Sequence, residues 1–152
     1  MAESIVVGTD GSDRATRALD EAIRVAKALG AELHVVSAYE PVQARIAGAP
    51  EGAAKVWAPL PDAQVEATLS EAASAVRLRD VKVTTHAIER RDAADALLDV
   101  AREVKADLIV VGSKGMHGAR RLALGNVPNQ VSHKARCNVL IVNTDPGAPA
   151  ET

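Results

Sequence analysis

Aromatic residues are nearly absent from this sequence, which contains one Trp, one Tyr and no Phe. The hydrophobic core must therefore be built from Val, Leu, Ile and Ala. The same shortage removes the aromatic platform on which many proteins stack single-stranded nucleic acid. The net charge of -2 gives the chain as a whole no attraction for nucleic acid or for an anionic membrane, so we expect neither as a partner.

Cysteine and long apolar runs are scarce as well. The single cysteine, Cys137, excludes an internal disulfide and a cysteine cluster for a metal. The apolar runs are far shorter than a membrane span, and the opening MAESIVVGTDGS does not have the pattern of a signal peptide. Because no two histidines have the spacing of zinc ligands on one helix, we expect no metal site of that kind. A cytoplasmic protein is the simplest prediction from these absences.

The length of the chain and the positions of its Pro- and Gly-rich segments predict one domain. The chain has 152 residues, enough to bury a core that is stable by itself. We expect this domain to span residues 1–145, with a flexible segment rich in Pro and Gly at residues 41–61. The remaining residues, 146–152, have the composition of a disordered tail.

Apolar runs and helical periodicity alternate along the chain. Five runs rich in Val, Ile and Leu predict strands at residues 4–8, 32–38, 81–88, 107–112 and 138–142. Between them, amphipathic patterns predict helices at residues 13–29, 62–78, 92–104 and 127–135, the last capped by Asn126. This alternation predicts an α/β sheet with helices on both faces. If the first three strands wind one way and the fourth returns to the other side of the first, the sheet is open, five-stranded and parallel, Rossmann-like or flavodoxin-like, with strand order 3-2-1-4-5.

Two strand ends resemble each other: VVGTDGS after the first strand and VVGSKGM after the fourth. In a sheet of that order these strands are neighbours, and ligands bind beyond their carboxyl ends. Both turns begin with glycine, which lets a ligand approach the backbone, and successive backbone N–H groups favour an anion. The sequence therefore predicts a site that includes the turn residues Thr9, Asp10, Gly11, Gly112 and Ser113.

A set of three glycines extends the second turn. Gly112 and Gly115 are separated by two residues, and Gly115 and Gly125 by nine. The established fingerprints G-x-G-x-x-G and G-x-x-x-x-G-K-[ST] do not occur in their strand and helix contexts. Spacing alone leaves a phosphate-binding loop and a simple surface turn equally open, because glycine-rich loops are often only turns. The cations within the loop, Lys114, Arg120 and Arg121, are as consistent with solvation as with phosphate contact.

At this point the sequence resembles the universal stress protein family. The resemblance runs from IVVGTDGSDRATRALDEAIRVAKALGAELHVVSAY to ADLIVVGSKGMHGARRLALGNVPNQVSHKARCNVLIV. The nucleotide-binding branch of that family has the same three-glycine spacing, followed by Ser or Thr. Here Asn126 occupies the last position, so the chain departs from the pattern by one residue. The family also implies homodimers joined along the last strand, here Asn138–Val142.

The resemblance implies a site for ATP, or for ADP, AMP or cyclic AMP, with Mg²⁺ accompanying ATP. From the adenosine end to the phosphates, the implied contacts are Asp10, Ala38, Gly112, Gly115, Gly125, Asn126 and Val127. The amide of Asn126 can still donate to a phosphate, but it is not the family's hydroxyl. A lost hydrogen bond to a charged group would weaken binding by about 1.5–3 kcal/mol.

Three functions remain open at this stage. The first is a stress or signalling protein that senses an adenine nucleotide with little or no turnover, because the sequence offers no evident general base and no Walker-type lysine. The second is a nucleotide-free dimeric scaffold, which the departure at Asn126 keeps open. The third is an enzyme: a slow ATPase, or an adenylating ligase, for which only residues 41–61 could supply an acceptor site.

Overall fold

The computed structural model describes residues 3–39, 61–90, 92–113 and 126–144 of the chain, without the side chains of residues 61–63 and 126. Most of the segment at 41–61, the loop at 114–125 and the tail at 146–152 lie outside the described residues. The elements follow in the order β1 (Ser4–Gly8), α1 (Asp13–Leu29), β2 (Glu32–Tyr39), α2 (Pro61–Arg77), β3 (Val83–Glu89), α3 (Ala93–Glu103), β4 (Leu108–Gly112), α4 (Asn126–Lys134) and β5 (Asn138–Val142).

The predicted topology is confirmed. The five strands form one parallel sheet in the order β3-β2-β1-β4-β5. β1 lies at the centre, with Val6 opposite His34 of β2 on one side and Ile109 of β4 on the other. The chain therefore reverses its winding direction between β1 and β4, which places a crevice beyond their carboxyl ends.

The core has two halves, one on each face of the sheet. Ile5 and Val7 of β1 face α1 and α2, whereas Val6 packs in the cluster that contains α3 and Val131 of α4. Alternate side chains of a strand point to opposite faces, so a continuous apolar run is needed where both faces are covered. Each fully buried Val, Ile or Leu contributes roughly 1.5–3 kcal/mol to folding.

Local sequence accounts for the ends of α1. The Ser12 hydroxyl accepts a hydrogen bond from the N–H of Ala15 at 3.1 Å, which satisfies one of the free donors of the first turn. Gly30 ends the helix with φ 67°, in the left-handed conformation that glycine adopts without steric cost. The longest described helices, α1 and α2, have 17 residues each, and no helix in the described ranges could cross a membrane.

Most predicted boundaries lie within one residue of those in the structure, and the starts of β3 and α4 differ for reasons that the structure shows. β3 begins at Val83 and not at residue 81, because the N–H of Val81 donates to the carbonyl of Val76 at the end of α2. α4 begins at Asn126 itself, so that residue is the first of the helix and not its cap.

Candidate functional site

A cleft of about 160 Å³ lies at the carboxyl ends of β1 and β4, where the winding direction reverses. It is bounded by the β1–α1 turn, the first turn of α1, the ends of β2 and β4, and the starts of α3 and α4. Its position follows from the strand order, because only at this point do the two following loops leave the sheet in opposite directions.

Side-chain hydrogen bonds hold the turn after β1. The N–H of Thr9 donates to the carbonyl of Val36 on β2 at 2.8 Å, which continues the sheet by one residue. The Asp10 carboxylate then accepts from the N–H of Ser12 at 2.9 Å, and the Thr9 hydroxyl accepts from the N–H of Gly11 at 3.2 Å. With φ 81° at Gly11, these bonds reverse the chain and aim the start of α1 at the cleft.

Gly8 lines the cleft at the end of β1 and packs closely on Leu97 of α3. A Cβ atom at this position would lie 3.1 Å from Cδ2 of Leu97, which is tighter than ordinary van der Waals contact. The end of β1 therefore packs closely on α3, and Leu97 forms part of the apolar wall together with Val36 and Ala38 of β2. A side chain at residue 8 would require the Leu97 side chain to shift by a few tenths of an ångström, which would change the shape of this wall.

The turn after β4 is held by the chain that follows β5. The N–H of Ser113 donates to the carbonyl of Val142 at 2.7 Å, and the Ser113 hydroxyl accepts from the N–H of Thr144 at 3.2 Å. Thr144 is fully buried. The Ser113 side chain is therefore engaged with Thr144, and the part of this turn that lines the cleft is Gly112.

The start of α4 is fixed by a carboxylate shared between two helices. Asp92 Oδ1 accepts from the N–H of Ala94 at 2.8 Å and caps α3, while its Oδ2 accepts from the Gln130 amide of α4 at 3.3 Å. This pair holds α3 and α4 together beside the cleft, and Val127 and Pro128 from the first turn of α4 line it.

The structure brings together five of the predicted site residues as lining of one cleft: Thr9, Asp10, Ala38, Gly112 and Val127. Gly11 and Ser113 hold the adjoining turns and are not among the lining residues. Gly115 and Gly125 lie outside the described residues, as does the Asn126 side chain. Their roles remain predictions.

One wall of the cleft was not predicted from the sequence. It comes from the first turns of α1, where Ser12, Arg14, Ala15 and Ala18 line the space. Periodicity assigns the two alanines only to the buried face of a helix. Their small size, at three and six residues after the capping residue Ser12, is the signal that this end of α1 leaves room for a ligand.

The lining combines an apolar interior with a few polar groups at the turns. Asp10 and Arg14 are the titratable side chains among the described lining residues, the former exposed and the latter half-buried. Such a cleft suits a flat, largely apolar group in the interior and a charged group near Arg14 and the helix starts.

Comparison with known proteins supports the family indicated by the sequence. A family model described as "Universal stress protein family" matches residues 1–143. The universal stress protein Rv1636 of Mycobacterium tuberculosis is 37% identical over 151 residues, which cover 93% of this chain and 97% of the relative.

Solved structures of the family have the same fold. A universal stress protein in complex with cAMP is 34% identical, with a TM-score of 0.70 over 94% of this chain and 98% of that chain. A universal stress protein from Archaeoglobus fulgidus in complex with dAMP is 28% identical, with a TM-score of 0.68 over 93% and 98%. With a family match across nearly its whole length and this fold, the chain belongs to the universal stress protein family.

Proposed function

We propose that this protein binds an adenine nucleotide in the cleft between β1 and β4 and acts as a stress or signalling factor with little or no turnover. The observation that carries the proposal is the cleft itself, which is lined by Thr9 and Asp10 of the turn after β1 and by Gly112 at the end of β4. Relatives solved with cAMP and with dAMP support the choice of an adenine nucleotide.

The apolar wall is suited to the base. Val36, Ala38 and Leu97 present aliphatic surface on which a flat ring can pack without aromatic partners. Ala38 stands at the carboxyl end of β2, where its backbone can border the edge of adenine. This placement agrees with the role that the family resemblance implies for residue 38.

The phosphates are assigned to the glycine set. Gly112 lines the cleft from one side, and α4 starts at Asn126 on the other. The N-terminus of a helix and successive free N–H groups together attract an anion. We propose that Gly115 and Gly125 complete this phosphate site with the start of α4, and that Mg²⁺ accompanies ATP.

The titratable groups of the described lining support the proposal of slow turnover. Efficient hydrolysis needs a general base or a positioned group that orients the attacking water. Asp10 is the described candidate, and one of its carboxylate oxygens already accepts from the N–H of Ser12. We therefore propose a binding protein with at most weak ATPase activity.

We also propose a cytoplasmic homodimer joined through β5. β4 pairs with one edge of this strand, and Val139, Leu140, Ile141 and Val142 are only half-buried in the single chain. An edge strand with apolar side chains is a natural surface for pairing with a second copy. Light scattering of the purified chain would test this, with Leu140→Lys expected to give monomers.

Equilibrium binding tests the proposed function. Calorimetric titration with ATP, ADP, AMP and cyclic AMP, with and without Mg²⁺, should give saturable binding to at least one of them. Native mass spectrometry of the protein as purified should show bound adenine nucleotide. A protein that binds none of the four below millimolar concentration would instead support the nucleotide-free dimeric scaffold, the alternative that the departure at Asn126 keeps open.

A further inference from the structure

A second cleft, of about 210 Å³, lies at the opposite end of the sheet from the first. It opens between the C-terminal ends of α3 and α4, beside the starts of β4 and β5. Its floor is apolar, with Leu98, Ala101 and Ile109 all buried. Its size suits a small organic molecule, below the roughly 300–1,000 Å³ of pockets for larger ligands.

The rim of this second cleft carries charge of one sign. Four cations line it, Arg102, Lys105, Lys134 and Arg136, and no Asp or Glu is among the lining residues. Arg102 pairs with Asp99 at 3.7 Å, whereas the other three make no ion pair in the described ranges. This concentration of positive charge contrasts with the net charge of the chain, which is -2.

Two of the four cations lie within helices and two follow them. Arg102 and Lys134 lie in the last turns of α3 and α4, where a cation is favoured by the helix dipole. Lys105 and Arg136 lie beyond the helices. Lys105 also has φ 53°, a left-handed conformation at a helix end where glycine is the usual residue. Lys at this position therefore costs stability and places an amine at the rim.

We propose that this cleft binds a small phosphomonoester, with the phosphoryl group among the cations and an apolar body on the floor. A phosphate dianion matches several cations at once, and the planar guanidinium of Arg136 can hold two of its oxygens. Leu98 and Ile109 would cover the apolar part of the ligand. The site is separate from the nucleotide cleft, so it does not depend on the proposed function.

Cys137 provides a direct measurement of whether a ligand occupies the second cleft. It is the only cysteine of the chain, it lines the cleft, and it is half-buried. Burial raises the pKa of the Cys137 thiol, so alkylation is best followed at alkaline pH. The rate at which iodoacetamide modifies the full chain, measured by mass spectrometry in phosphate-free buffer, reports whether a ligand covers this thiol.

The probe is phenyl phosphate, with inorganic phosphate and phenol as partial analogues. We expect phenyl phosphate to slow alkylation in a saturable way, inorganic phosphate to do so only at higher concentration, and phenol to have no effect. Arg136→Gln should raise the half-saturating concentration about tenfold. Arg77→Gln, which removes an exposed cation from the last turn of α2, is the matched control and should leave it unchanged.

Lys105→Gly separates binding from folding. Because glycine adopts φ 53° without strain, this variant should melt at a higher temperature than the parent and yet bind phenyl phosphate more weakly. An alkylation rate that phenyl phosphate does not change in the parent overturns the proposal. Equal protection of the parent, Arg136→Gln and Lys105→Gly overturns it as well.

Discussion

Nδ1 of His34 and Nε2 of His86 lie 2.9 Å apart, so one imidazole donates a hydrogen bond to the other across β2 and β3. The two rings are tilted by 38° with centroids 5.2 Å apart. The Glu32 carboxylate lies 4.0 Å from Nε2 of His34 and also accepts from the Thr84 hydroxyl at 2.7 Å. A neutral pair satisfies this geometry with one proton between the facing nitrogens.

Stability should fall as the pH drops below about 6.5, the ordinary pKa of histidine. Burial lowers the pKa of both His34 and His86. The Glu32 carboxylate opposes this lowering of the pKa at both histidines, and the Glu103 carboxylate opposes it at His86. The unfolded chain then binds more protons than the folded chain in this range, so folding weakens on acidification. Urea midpoints between pH 5 and pH 7.5 would measure the slope.

The matched variants are His86→Gln and His133→Gln. The first removes one titrating partner of the pair and should flatten the dependence on pH. The second changes an exposed histidine of α4 and should leave the slope as it is. Parallel slopes in the parent and in His86→Gln would show that the pair does not determine the response.

Arg14→Gln should weaken ATP binding about tenfold or more while leaving adenosine affinity nearly unchanged. Arg14 lines the cleft from the first turn of α1, a position where the helix dipole disfavours a cation. Arg17, one turn further and exposed, does not line the cleft, so Arg17→Gln is the control. Calorimetric titration with ATP and with adenosine gives the ratio of the two affinities for each variant. A ratio equal in both variants would exclude a phosphate contact by Arg14.

Gly115→Val should abolish nucleotide binding without unfolding the chain. A β-branched side chain in the proposed phosphate loop would occupy space that the ligand needs and would restrict the backbone. Gly147→Val, in the tail, controls for a general effect of the substitution. Circular dichroism would establish folding, and a folded Gly115→Val protein that binds ATP normally would remove the glycine set from the site.

Asn126→Ser should strengthen binding of ATP about tenfold, because it supplies the hydroxyl that the family pattern carries at this position. Asn126→Ala is the control, since it removes the amide without adding a hydroxyl. Affinities from titration with ATP and Mg²⁺ would compare the three proteins. Equal affinity of the parent and the Ser variant would mean that the departure at Asn126 does not affect phosphate contact.

Asp92→Ala should lower the free energy of unfolding by about 1–2 kcal/mol, because the cap of α3 is lost. It should also weaken nucleotide binding, since the contact that holds Gln130 of α4 beside the cleft is lost with it. Asp92→Asn keeps a capping oxygen and should retain most of the stability. Gln130→Met removes the contact between α3 and α4 but keeps the cap of α3. We expect this variant to bind nucleotide more weakly with little change in the free energy of unfolding.

The sequence by itself determined the elements of this protein and most of their ends. These elements depend on local signals, each within a few residues of the position that it determines. Examples are the N-cap at Ser12, the C-cap at Gly30 and the continuous apolar runs of the strands. The alternation of strand and helix indicated the α/β class, and the strand order followed from placing the fourth strand beside the first. The similar stretches GTDGS and GSKGM pointed to the crevice beyond β1 and β4, where the structure has a cleft.

The tertiary structure alone decided which distant side chains meet. His34 and His86 are 52 residues apart, and only the parallel register of β2 with β3 brings their rings together. The wall that contains Arg14 and the basic second cleft likewise arise from packing between elements. Local propensity and periodicity describe how each segment folds, but side-chain contacts across the sheet depend on register and helix packing, which no short stretch of sequence contains.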